Sequence, residues 1–105
     1  MTASREAIQQ VATSLGRASH ARKVILFGSH ARGQAGPDSD VDFLVIADSR
    51  LPRYKRSREL YALFRSYPFP MDILVYTPEE VEKQLAEPDS FITTVLSQGT
   101  EVYVG

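Results

Sequence analysis

Apolar residues recur along the first half of the chain in two periods, which predict one helix followed by two strands. A helix is predicted from a cap at Ser4 to about Arg17, because apolar residues return every three or four positions. Its buried stripe comprises Ile8, Val11, Ala12 and Leu15. Continuous apolar runs then predict a strand over 23–27 and a second strand over 41–47. A polar loop that contains glycine separates the two strands.

The second half continues this alternation of helices and strands. After the basic stretch 51–58, a helix is expected to bury Leu60, Tyr61, Leu63 and Phe64. The run 67–70 contains two prolines and must break that helix, and a third strand follows over 71–76.

Two further helices and a short strand are predicted to close the chain. Thr77 and Pro78 form a strong helix start, Val81 and Leu85 give that helix its apolar stripe, and Pro88 ends it. Asp89 or Ser90 caps the next helix, whose apolar residues are Phe91, Ile92, Val95 and Leu96. A terminal strand is expected over 102–104.

This element order predicts an α/β fold of the α+β sandwich type, with a small mixed sheet and flanking helices. The loop between the first two strands has about a dozen residues, so these strands can pair antiparallel. The length of 105 residues fits a single domain spanning 1–105.

Composition excludes several classes of protein. The chain has no cysteine, which excludes disulfides and cysteine nucleophiles and agrees with a reducing cytoplasm. Its apolar runs are too short to span a bilayer, and its first residues lack the apolar stretch of a signal peptide, so we expect a cytoplasmic protein without membrane contact. The net charge of −1 does not suit a molecule that binds nucleic acid over its whole surface. The basic segment 50–58 is either a solvated surface or a contact for nucleic acid or an acidic partner.

The loop between the first two strands carries the candidate chemistry. Gly28 lacks a Cβ, so backbone amides there can approach phosphate oxygens, and Ser29 is expected to start a short helix whose N-terminus favours anions. Asp40 and Asp42, two residues apart at the start of a strand, project to the same face. Their paired carboxylates suit Mg²⁺ or Mn²⁺, ions that also bind substrate phosphates. Together these features indicate chemistry on a nucleoside triphosphate.

A third carboxylate is expected on another strand if two metal ions are to be held. Asp72 also stands at the start of an apolar strand, the one predicted over 71–76. It can bind the catalytic metal and help to deprotonate an attacking hydroxyl, or it can simply cap the turn after Pro70.

The combined pattern resembles a known superfamily. Gly28-Ser29, ten intervening residues and Asp40-x-Asp42 match the signature of the DNA polymerase beta-like nucleotidyltransferases. The text GSHARG followed by SDVD looks like their minimal nucleotidyltransferase branch, whose members partner HEPN proteins. The resemblance implies that Gly28 and Ser29 hold the triphosphate of ATP, and that Asp40, Asp42 and Asp72 bind two Mg²⁺ ions. Arg32 matches a position that can neutralise phosphate charge, although an exposed arginine is an equal alternative.

The resemblance also implies a biological role. Minimal nucleotidyltransferases of this type act as antitoxins that transfer AMP to a tyrosine of a HEPN ribonuclease. Two alternatives stay open: an antitoxin that only occludes its partner, and an enzyme that modifies a small molecule or an RNA end. The sequence identifies neither the acceptor nor the preferred nucleobase.

Overall fold

The structure, a computed structural model, describes residues 3–105, so the first two residues of the predicted domain 1–105 lie outside it. The described elements are, in chain order, α1 (Arg5–Ser19), β1 (Lys23–Phe27), β2 (Val41–Ile46), α2 (Arg53–Arg56), α3 (Arg58–Tyr61), β3 (Met71–Tyr76), α4 (Pro78–Leu85), α5 (Phe91–Gln98) and β4 (Thr100–Val104). None of the helices in this part of the chain has both the length and the apolar character needed to cross a bilayer.

The four strands form one mixed sheet in the order β3-β2-β1-β4. β1 pairs antiparallel with both β2 and β4, whereas β2 and β3 run parallel. The predicted α/β fold with a small mixed sheet and flanking helices is confirmed, as is the antiparallel pairing of the first two strands. The sheet therefore has β3 and β4 as its two edge strands.

Alternating strand residues build a core on each face of the sheet, because successive side chains point to opposite sides. Val41, Phe43 and Val45 of β2 pack into the cluster that contains the predicted apolar stripe of α1. Leu44 and Ile46 face the other way, into a cluster supplied by α4 and α5. The residues at positions 42, 44 and 46 thus share the face covered by these two helices.

Hydrogen bonds at the helix starts confirm the caps predicted from the sequence. The Ser4 hydroxyl accepts the Ala7 amide at 3.0 Å, and the first helix continues two residues beyond the predicted end at 17. Thr77 and Glu80 form a capping box at the start of α4. Ser90, the second of the two candidates, caps α5 by accepting the Thr93 amide at 3.1 Å.

Three apolar residues that were expected to be buried are nearly half exposed. The predicted helix after residue 58 is only the four-residue α3, so Leu63 falls beyond its end and is 47% exposed. Leu85 is the last residue of α4 and lies on the rim of an open apolar groove with Leu96, at 48% exposure. Phe91, the first residue of α5, packs edge-on against Phe27 and stays 42% exposed. Helix ends explain all three errors, because terminal residues have no further turn to hold them against the sheet.

Candidate active site

Two carboxylates lie side by side on neighbouring strands. Asp42 of β2 is the register partner of Asp72 in the parallel pair, and it also faces Phe27 of β1. Neighbouring strands are about 4.8 Å apart, so in-register residues place their side chains together on one face. The structure therefore brings together two of the three predicted acidic residues by strand pairing alone.

The electrostatics of Asp42 reflect this crowding. Burial raises the pKa of Asp42 above its ordinary value, and the negative charges of Asp72 and Asp40 raise it further. A hydrogen bond between the side chains of Asp42 and Asp72 acts in the same direction, and His30 opposes it weakly. Like charges at short range disfavour the ionised form, so a cation near Asp42 would be bound favourably.

Position 28 requires glycine, because its backbone lies against the side chain of Asp42. Its φ of +75° lies in the left-handed region, which glycine adopts at no steric cost. A Cβ built at this position would overlap the Oδ2 atom of Asp42. The backbone after β1 thus lies directly against the Asp42 carboxylate. A phosphate group at this point could accept hydrogen bonds from backbone amides and also contact a cation bound to the carboxylate.

The segment that follows Gly28 is a hydrogen-bonded turn and not the predicted short helix. The Arg32 amide donates to the Gly28 carbonyl at 3.2 Å, and the Gln34 amide donates to the Ser29 carbonyl at 2.9 Å. Gly33, with a φ of +69°, ends the turn before a second helical repeat can form. The prediction of a helix N-terminus at Ser29 was wrong, and the role of Ser29 in binding phosphate stays a prediction.

His30 is a residue near the site to which the sequence pattern assigns no role. Its ring is partly buried, and Nε2 lies 3.2 Å from the carbonyl oxygen of Ser39. This contact joins the turn after β1 to the residue just before Asp40. A single histidine in a variable loop carries no periodic or spacing signal, so only the folded geometry could reveal the contact.

The predicted metal site can be tested against the donors that are present. Among residues 3–105, no three His, Cys, Asp or Glu side chains converge as a group that could hold a metal ion. Asp40 is exposed, but its charge acts on Asp42. Mg²⁺ is typically bound by one or two carboxylates together with substrate phosphates, so the pair of Asp42 and Asp72 with Asp40 nearby fits this ion. The ligand set itself stays a prediction.

Arg32 is the remaining candidate on the turn. Its side chain is exposed, and Nε donates to the Gln34 side chain at 3.3 Å. This hydrogen bond holds the guanidinium close to the turn. A role of Arg32 in binding phosphate stays a prediction.

Two arginines of the basic segment 50–58 have structural roles. Arg56 is almost fully buried, forms an ion pair with Glu80 and donates to the Val75 carbonyl at 3.2 Å. Arg53 stacks on the Tyr76 ring, with its guanidinium carbon 4.4 Å from the ring centre. These contacts attach α2 to β3, while Lys55 and Arg58 remain exposed.

The family of the chain follows from a comparison with known sequences. Residues 8–102 match the family described as "Nucleotidyltransferase domain". The chain belongs to this family. The matched range runs from α1 into β4 and includes every candidate site residue.

Individual relatives agree with this assignment. The nucleotidyltransferase is 36% identical over 80 residues to a Methanocaldococcus jannaschii protein named "putative protein adenylyltransferase", across 76% of this chain and 77% of that protein. A crystal structure described as a "putative nucleotidyltransferase" from Sulfolobus solfataricus superposes with a TM-score of 0.63 and 17% identity, over 92% of this chain and 77% of that one. A crystal structure described as a "toxin-antitoxin with AMP-PNP" gives a TM-score of 0.58 and 21% identity, over 92% and 73% of the two chains. At these identities the two structures show a shared fold.

Proposed function

We propose that this nucleotidyltransferase is a Mg²⁺-dependent protein adenylyltransferase that transfers AMP from ATP to a hydroxyl group of a partner protein. The observation that carries the proposal is the placement of the Gly28 backbone against Asp42, with Asp72 beside it on the next strand. The adenylyltransferase name of the relative and the AMP-PNP complex with a similar fold support ATP as the donor.

Each site residue has a defined task in this reaction. The acceptor oxygen forms a bond to the α-phosphorus, the bond between that phosphorus and the α–β bridging oxygen breaks, and pyrophosphate leaves. Gly28 and Ser29 hold the triphosphate so that the leaving group lies opposite the attacking oxygen. Asp72 accepts the proton of the acceptor hydroxyl. Asp40, Asp42 and Asp72 are the residues that would hold Mg²⁺, which would neutralise phosphate charge and make the acceptor hydroxyl more acidic when bound.

The finer part of the proposal concerns biology. We assign the protein the role of antitoxin, with a tyrosine of a HEPN ribonuclease as acceptor. The support is the resemblance of the GSHARG and SDVD segments to minimal nucleotidyltransferases, together with the toxin-antitoxin complex of similar fold. The adenylyltransferase name of the relative favours modification of a protein over modification of a small molecule or an RNA end.

Intact-protein mass spectrometry tests this function directly. A HEPN protein from the same genome is incubated with the chain, ATP and Mg²⁺, and its mass should increase by whole AMP units. The double variant Asp40→Asn/Asp42→Asn should fold and leave the partner unmodified, since it removes charges that repel each other in the free protein. If the double variant neutralises the ribonuclease as well as the wild type does, without any mass change, the protein acts by occlusion and the enzymatic proposal fails.

A further inference from the structure

The free edge of β3 has an unusual pattern of backbone hydrogen bonds. The carbonyls of Pro70 and Tyr76 accept hydrogen bonds from the amides of Val41 and Ala47. The backbone N–H and C=O groups of the even-numbered residues in this segment therefore point towards β2. The backbone groups of positions 71, 73 and 75 must therefore point outward, because these groups alternate in direction along a strand. β3 is an edge strand, and such outward groups are where another strand can pair.

Side chains occupy two of these outward groups. The Ile73 amide donates to the Tyr61 hydroxyl at 2.9 Å, and the Val75 carbonyl accepts from Arg56 at 3.2 Å. Within the described residues, no hydrogen bond uses the Ile73 carbonyl or the Val75 amide. One acceptor and one donor thus remain on either side of Leu74.

A groove lies over this pair of groups. It has a volume of about 380 Å³ and is lined by Arg53, Tyr54, Ser57, Ile73, Leu74 and Val75. Its floor is the outer edge of β3, and its wall is α2 with the following residue. Leu74 lies on the same face of the sheet as Asp72, two positions further along the strand.

We propose that this groove binds an extended segment of the acceptor protein as an added strand, and that this segment brings its hydroxyl side chain to Asp72. Strand addition to an exposed edge uses main-chain hydrogen bonds for affinity and side-chain pockets for specificity. The identity of the segment as the acceptor rests on the proposed function, whereas its binding to the edge does not.

The free groups favour a parallel added strand. In an antiparallel strand, two different residues would reach the Ile73 carbonyl and the Val75 amide, and each would also face a group that Tyr61 or Arg56 already occupies. In a parallel strand, a single residue reaches both the Ile73 carbonyl and the Val75 amide. The incoming residue opposite Leu74 supplies both bonds, so the residue two positions before it lies opposite Asp72.

Charge indicates the composition of the segment. Positive charge at the rim of the groove comes from Arg53, which lines it, and from Lys55, whose Nζ lies 5.8 Å from the centre of the Tyr54 ring. Tyr54 itself is 75% exposed and offers an apolar wall. An incoming strand with acidic residues beside the acceptor complements this rim. The occupant is therefore an extended, acidic segment with a tyrosine, serine or threonine opposite Asp72.

Amide exchange measured by NMR tests the pairing without mutation. The probe is a synthetic nine-residue peptide with a central tyrosine, alternating valines and threonines, and terminal glutamates. At saturating peptide, the exchange of the Val75 amide should slow by about tenfold or more, while the Leu74 and Tyr76 amides, already bonded to β2, change little. Unchanged exchange at Val75 overturns the proposal.

The peptide also provides its own control. N-methylation two residues after the tyrosine removes the donor to the Ile73 carbonyl and should abolish protection of Val75. N-methylation one residue after the tyrosine alters an amide that points away from β3 and should leave protection intact. Equal loss with both peptides overturns the parallel register.

A variant pair links the groove to catalysis. Ser57→Trp fills the groove and should raise the KM for the peptide by about tenfold or more, with unchanged affinity for ATP and Mg²⁺. Ser14→Trp, on the exposed face of α1, is the matched control and should change neither value. Protection of Val75 by the peptide, with no AMP transferred to the HEPN protein, supports the groove and refutes the proposed function. AMP transfer to the HEPN protein without protection of Val75 refutes the groove and leaves the proposed function standing.

Discussion

Replacement of Gly28 by alanine isolates the contact on which the candidate site depends. Gly28 and Gly33 have similar left-handed φ angles, +75° and +69°. A Cβ at Gly28 would overlap Oδ2 of Asp42, whereas a Cβ at Gly33 would have no atom within 4 Å. The two Gly→Ala variants should therefore lose a similar amount of stability from the left-handed backbone, and only Gly28→Ala should displace the Asp42 carboxylate.

The expected magnitudes follow from these geometries. Left-handed backbone costs a residue with a side chain roughly 1–2 kcal/mol. The reduced freedom of the unfolded chain offsets about 0.4–1 kcal/mol of this. Gly33→Ala should therefore lose about 1 kcal/mol of stability and keep its activity. Gly28→Ala should in addition displace Asp42 by on the order of 1 Å, and a misplacement of that size can lower a rate by about 10²-fold.

Two measurements separate the effects. Urea unfolding reports stability, and transfer of labelled AMP to the partner reports catalysis at temperatures where both variants are folded. We expect both variants to unfold at a lower urea concentration than the wild type, with the lowest midpoint for Gly28→Ala. AMP transfer should be lost only in Gly28→Ala. If both variants transfer AMP at the same rate, the close approach of the Gly28 backbone to Asp42 has no catalytic role.

Three further predictions concern single side chains. Asp42→Asn should weaken the binding of ATP in the presence of Mg²⁺ by about tenfold or more in calorimetry. Equal affinity with and without Mg²⁺ in the wild type would exclude the metal role. Asp72→Asn should retain much of the ATP binding and lose about 10²–10⁴-fold in the rate of AMP transfer, measured with labelled ATP. A loss of only a few-fold would make Asp72 a structural cap. The hydrogen bond from Arg56 lowers the pKa of Glu80 to about 2 from its ordinary 4.5, so this ion pair stabilises the fold above pH 4.5 and the effect is lost as the pH falls towards 2. In urea titrations, the stability difference between wild type and Glu80→Gln should therefore be present at pH 7 and shrink below pH 4.5, and a constant difference would refute the linkage.

The sequence predicted the sheet better than the helices, for a physical reason. The strands over 23–27 and 71–76 are buried apolar runs between turn residues, and both ends match the structure. The helix ends at Ser4, Thr77 and Ser90 also match, because side-chain caps are local chemistry. The burial of Leu63, Leu85 and Phe91 depends on where each helix ends relative to the sheet. The local pattern of apolar residues does not predict that position.

The candidate site was predictable in its residue types and only partly in its geometry. Because strand side chains alternate between two faces, the spacing of two residues predicted that Asp40 and Asp42 share a face. The position of Asp72 at the start of an apolar run identified it as a third candidate. The alignment of Asp72 with Asp42 needs the parallel register of β2 and β3, which is a long-range pairing. The link from His30 to the Ser39 carbonyl belongs to a loop whose path the sequence does not specify.

The position of Asp42 is itself an argument for function. Positions 44 and 46 of the same strand face carry buried leucine and isoleucine, whereas position 42 carries a carboxylate whose pKa is raised by burial and by two like charges. A raised carboxyl pKa means that ionisation is less favourable in the folded protein than in the unfolded chain, so ionised Asp42 weakens the fold at neutral pH. A strand under selection for stability alone would place an apolar residue there. Proteins retain such unfavourable groups chiefly where activity requires them, and binding of a cation would remove the repulsion.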